Sequence, residues 1–124
     1  MKLTVPPIQN DVAVRAAEIA NAKMREIFLD ESHDFYARKA SMMSPGNMAI
    51  LKSSWSPIRA VKQTDVTSMA LVIAPQDAVL FGKSREEYPQ IRQIVKEAVN
   101  SAMKENISSI TETLLERLIL PEGV

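Results

Sequence analysis

The chain has one histidine, and it sits among acidic residues in Asp30-Glu-Ser-His-Asp34. A Ser-His-Asp triad would have to use His33, and so would most metal sites. If the segment is helical, Asp30 and Asp34 are neighbours on one face and His33 lies close to Asp30. A hard cation could sit there, but such ions take a loop of oxygen ligands and none is evident. The alternative is a solvated helix surface or a hinge. There is no cysteine, which removes thiolate nucleophiles, disulfides and Cys-ligated zinc.

Phe81-Gly-Lys-Ser84 matches the end of a phosphate-binding loop. That loop needs an earlier glycine so that backbone amides can wrap the phosphates, and its position holds Asp77. A carboxylate there repels phosphate, so the stretch reads as a turn followed by a helix cap. Glu86 with Glu87, and Glu112 with Glu116, are the nearest carboxylate pairs. The apolar pattern puts them on exposed helix faces, away from any cleft that acid–base chemistry would need. No residue stands out for a catalytic, cofactor or metal role. The expectation is a protein that is not an enzyme and needs no cofactor.

Charge is balanced overall, with fifteen basic and fifteen acidic residues, but not evenly spread. Between Asp34 and Asp65 there is no acidic residue, while Arg38, Lys39, Lys52, Arg59 and Lys62 all fall there. This segment could contact phosphate or nucleic acid, with Trp55 available to stack on a base. It could equally be a loop and hairpin whose charges are solvated. Met42, Met43, Met48 and Trp55 are the other concentration of unusual residues. Exposed, Met48 and Trp55 would make an adaptable partner surface. Buried, they would fill the joint between helices and sheet, which is the expected place for tryptophan.

The elements that must position these residues follow from periodicity. Pro6-Pro7 sets an extended lead-in over 1–9. Val12, Ala16, Ile19, Ala20, Met24, Ile27 and Phe28 recur mostly at gaps of three and four. This predicts one amphipathic helix over 10–40, bent near Asp30, unless Asp30–Asp34 breaks it and begins a second. In the joint 44–57, Ser44 can cap a short helix with Pro45 at its first position, and Pro57 ends it. Ile58–Lys62 and Val66–Ala74 read as a hairpin, and Ala78–Phe81 as a third, shorter strand, over 58–82. The rest, 85–119, is helical from near Glu87. Ile91, Val95, Ala98 and Ala102 form one apolar stripe; Met103, Ile107, Ile110, Leu114 and Leu118 form a second. The slip between them predicts a bend or break near 103–107.

A chain of 124 residues fits a single domain. The 5% aromatic content and three glycines argue against an all-β barrel or sandwich. No run approaches the roughly eighteen apolar residues of a membrane span, and the N-terminus lacks the apolar core of a signal peptide. The expected class is α+β: two long amphipathic helices packed on a small antiparallel sheet of two or three strands. The last helix carries more apolar residues than such a domain can hide, which predicts a homo-oligomer.

The order of elements resembles that of the tail-completion or neck proteins of tailed bacteriophages, small minor tail components at the head–tail junction. Pro45, Gly46, Leu51 and Ser53 or Ser54 stand where that family has a Pro, Gly, Leu and Ser before its hairpin. Phe81, Gly82 and Pro89 stand where it has a Phe, a Gly and a Pro at the last helix. The resemblance spans positions 12 to 119. It implies a structural subunit without enzymatic activity that works by ring assembly and by contact with other virion proteins. It also implies a place in the host cytoplasm during assembly and then in the virion, where a basic segment would lie near packaged DNA. Without the resemblance, a cytoplasmic nucleic-acid-binding or regulatory module using 38–62 is the alternative.

Overall fold

The computed structural model describes residues 10–62, 69–81 and 87–119, with the side chains of 11–62, 69–81 and 87–106. The elements are α1 (Asn10–Phe28), α2 (Asp34–Ala40), α3 (Pro45–Ser54), β1 (Ile58–Lys62), β2 (Met69–Ile73), α4 (Pro75–Leu80) and α5 (Glu87–Ile119). The fold is α+β, as the periodicity predicts, with the two long helices α1 and α5 and a two-stranded antiparallel sheet.

Small residues bring the long helices together. Ala13, Ala16, Ala17 and Ala20 of α1 and Ala98 and Ala102 of α5 are buried in one cluster. Alanine favours helix and leaves room for close backbone approach. The helices run antiparallel. Arg15, near the start of α1, reaches Glu105 of α5, while Phe28, at the end of α1, meets Phe81 ahead of α5. The predicted stripe of α1 and the first stripe of α5 face this core: Val12, Met24, Phe28, Ile91 and Val95 are all buried.

The helix predicted over 10–40 is two helices, α1 and α2. After Phe28 the Asp30 carboxylate accepts from both the N–H and the hydroxyl of Ser32, and the Asp30 carbonyl accepts from the His33 N–H at 2.9 Å. These local bonds compete with helix continuation and turn the chain. In the joint, Ser44 Oγ accepts the Asn47 N–H at 3.3 Å and Pro45 occupies the first turn of α3, as expected.

β1 and β2 pair with Ile58 opposite Ile73 and Lys62 opposite Met69. The predicted residues 63–68 of the hairpin lie outside the described residues. Asn21 of α1 anchors the sheet. Its Oδ1 accepts the Ile58 N–H at 2.7 Å and its Nδ2 donates to the Ile58 carbonyl at 2.9 Å.

The third strand expected at Ala78–Phe81 is instead α4. Pro75 sets its first turn, and the Asp77 and Ala78 amides both donate to the Ala74 carbonyl at 3.0 Å. A four-residue apolar run has no period long enough to separate strand from helix. Here Val79 is exposed and Phe81 buried, and the helix-starting proline decides the outcome. Of the bend or break expected near 103–107, the break does not occur: α5 is one helix from Glu87 to Ile119.

Candidate functional site

All three phenylalanines and the single tryptophan meet at one end of the helix pair. Phe35 stacks on Phe81 with centroids 4.3 Å apart and on Trp55 at 5.1 Å, and Phe28 meets Phe35 and Phe81 edge-on. Stacked and edge-on pairs of this kind each contribute about 0.5–1.5 kcal/mol beyond area burial. The cluster ties α1, α2, the end of α3 and the end of α4 together.

A polar network lies against it. Trp55 Nε1 donates to Asp77 Oδ1 at 2.9 Å, and Lys39 Nζ donates to the same oxygen at 3.0 Å. The Lys39 and Asp77 side chains are only 12% and 5% exposed, so each charge depends on the other. Arg38 pairs with Glu87 at the start of α5, and Lys52 with Glu31 at 3.1 Å. Arg25 Nη1 donates to the Trp55 carbonyl at 2.7 Å and closes the C-terminus of α3.

This arrangement redefines most of the residues singled out from sequence. Of the basic set, Arg38, Lys39 and Lys52 are paired with carboxylates from elsewhere in the chain. Arg59 and Lys62 are exposed on β1, three residues apart and therefore on opposite faces of the strand. Trp55 is 4% exposed and packed among phenylalanines, so its faces are not open to a base. Met48 is buried too, at the level of Trp55. Glu87, expected on an exposed helix face, is buried against Arg38. Asp77, which disqualifies the phosphate-loop pattern, is the hub of the buried network; Gly82–Ser84 lie outside the described residues.

His33 acts as the N-cap of α2. Among the described residues no group of three or more His, Asp or Glu side chains is placed to hold a metal ion. A groove of about 270 Å³ between α2 and α3 is lined by Tyr36, Met43, Pro45, Met48 and Lys52. Its one charged group, Lys52, is paired with Glu31 and lies over the Tyr36 ring, 5.1 Å from its centroid.

The remaining candidate surface is on α5. On an unbroken helix, at about 100° per residue, Ile91, Val95, Ala98 and Ala102 fall in one arc, the arc packed on α1. By the same register Met103, Ile107, Ile110, Leu114 and Leu118 fall in another, centred roughly a third of a turn away. The slip in the pattern therefore rotates the apolar face instead of breaking the helix. Met103, the first residue of the second arc, is 45% exposed. The side chains of Ile107, Ile110, Leu114 and Leu118 lie outside the described residues. Sequence reasoning finds this stripe; the direction of its rotation needs the continuity of the helix.

Compared with protein-family models, curated proteins and solved structures, the chain gives no match. Among the described residues no helix is long and apolar enough to cross a membrane.

Proposed function

We propose that the chain is a structural subunit that acts through contacts with copies of itself and with other assembly proteins, in the manner of the tail-completion or neck proteins of tailed bacteriophages. The observation that carries this is the second apolar arc of α5. By helix register it is set about a third of a turn from the arc that carries Ile91 and Val95, and its first residue, Met103, is half-exposed. Five large apolar residues at spacings of four, three, four and four make a seam of the kind that helices bury between chains. The Pro45, Gly46, Phe81 and Pro89 positions support the phage assignment.

Light scattering on the purified chain over a range of concentrations tests it. An oligomer is expected, and Leu114→Glu together with Leu118→Glu should return it to a monomer of unchanged helix content. A wild-type chain that stays monomeric at every concentration overturns the proposal. Genes for capsid, portal and tail proteins beside the coding sequence would support the phage assignment; their absence would count against it.

A further inference from the structure

His33 is the one histidine of the chain, and a helix cap does not ordinarily call for an imidazole. As N-cap of α2 it has extended backbone, with φ −89° and ψ 138°, and its Nδ1 accepts the Phe35 N–H at 3.0 Å. Helix caps normally use a side-chain oxygen, which accepts at any neutral pH. Imidazole accepts only through a nitrogen that carries no proton. The ring also packs edge-on against Phe28, with centroids 4.8 Å apart. It therefore sits between the start of a helix and the aromatic cluster, and Phe35, whose amide it holds, is the ring at the centre of that cluster.

A proton on Nδ1 would place an N–H against the Phe35 N–H and turn the bond into a repulsion. The charged groups around the ring come from the turn and from α2, and Lys52 of α3, paired with Glu31, also acts on the Asp30 carboxylate. Asp30 precedes it, with its carbonyl on the His33 N–H, and Asp34 follows as the first residue of α2. From α1 the described contact is the Phe28 ring. The Ser32 hydroxyl and N–H hold the Asp30 carboxyl below the usual carboxylate range, so it is an anion wherever an imidazole titrates. A protonated ring thus loses its partner on α2 and has an anion on the turn side.

We propose that His33 is a proton-operated cap: the neutral ring holds the first turn of α2, and protonation releases that turn, swings the ring toward Asp30 and loosens Phe35 from the aromatic cluster.

The test is amide hydrogen exchange and proton NMR on the full chain from about pH 8 to about pH 5, the range in which an ordinary imidazole changes charge. The His33 ring protons give the titration, and the Phe35 amide gives the state of the cap. The Phe35 protection factor should fall roughly fivefold, the equivalent of one lost cap, with the midpoint of the ring signal. In His33→Asn, which caps through an oxygen and does not titrate, protection should stay high and flat. In His33→Ala it should be low at both ends. A Phe35 protection factor that ignores the ring titration in the wild type, or that falls equally in His33→Asn, overturns the proposal.

Discussion

Trp55 and Asp77 share a hydrogen bond of 2.9 Å from the indole Nε1 to Oδ1, across 22 positions of sequence. The bond joins the end of α3 to the first turn of α4, and Lys39 of α2 completes it from a third element. Three short helices are fixed to one another by a single carboxylate.

Asp77→Ala should therefore cost far more than a surface change. It strands the buried Lys39 ammonium and the indole N–H, and breaking one side of a buried pair typically costs about 3–5 kcal/mol. Urea unfolding followed by tryptophan fluorescence measures it, because Trp55 is the chain's only tryptophan. Asp77→Asn keeps an acceptor for the indole and should fall between the two. A loss below about 1 kcal/mol in Asp77→Ala would show that Lys39 reaches water in solution.

Asn21→Ala leaves the Ile58 N–H and carbonyl without their partners inside the core. Unsatisfied buried groups of this kind should lower stability by about 2–4 kcal/mol. Amide exchange at Ile58 should accelerate more than exchange in the middle of α1. Equal acceleration everywhere would mean that the amide serves only global stability.

Enlarging the alanine seam should force the long helices apart. Ala20 is fully buried, and Ala20→Leu should cost about 1–3 kcal/mol by overpacking. Val14→Leu, on the 47%-exposed part of the same helix, should stay within about 0.5 kcal/mol. Similar midpoints for the two variants in denaturant would argue against close packing at Ala20.

Arg15 holds the Glu105 carboxyl below its ordinary value of 4.5 through hydrogen bonds of 2.7 and 3.1 Å. A carboxyl lowered on folding adds stability above its unfolded value and loses it as pH falls through the lower folded value. Arg15→Gln should raise the Glu105 midpoint toward 4.5 in a carboxyl NMR titration and flatten this part of the acid limb. An unmoved midpoint would show that the pair is not populated in water.

Much of the architecture is legible in local chemistry. The recurrence of Val12, Ala16, Ala20 and Met24 at every fourth position specifies α1, and Ser44-Pro45 marks the start of α3, because helix faces and caps are written within a few residues. The apolar, β-branched stretch around Leu71 marks the strand that pairs with β1. What stays hidden depends on distance. Nothing near Lys39 in the sequence announces Asp77, 38 positions on, so a paired and buried lysine looks like part of a free basic segment. Glu87 reads as exposed for the same reason, since its partner Arg38 lies 49 positions away. For α4 the run is too short for its period to be read. The second apolar arc of α5 is visible from spacing alone, but its meaning turns on whether the helix continues.

Asn21 has a consequence beyond anchoring. In an antiparallel ladder alternate residues turn their amides away from the partner strand, and on β1 Ile58 is one of these. By offering one acceptor and one donor at that position, the Asn21 amide imitates a single residue of a neighbouring strand. A foreign strand seeking to extend this small sheet finds its first docking point already taken, and from the flank of a helix that cannot be peeled away without opening the core. A two-stranded sheet is the kind of exposed template on which chains join edge to edge. Here one side chain discourages edge-to-edge joining at the sheet.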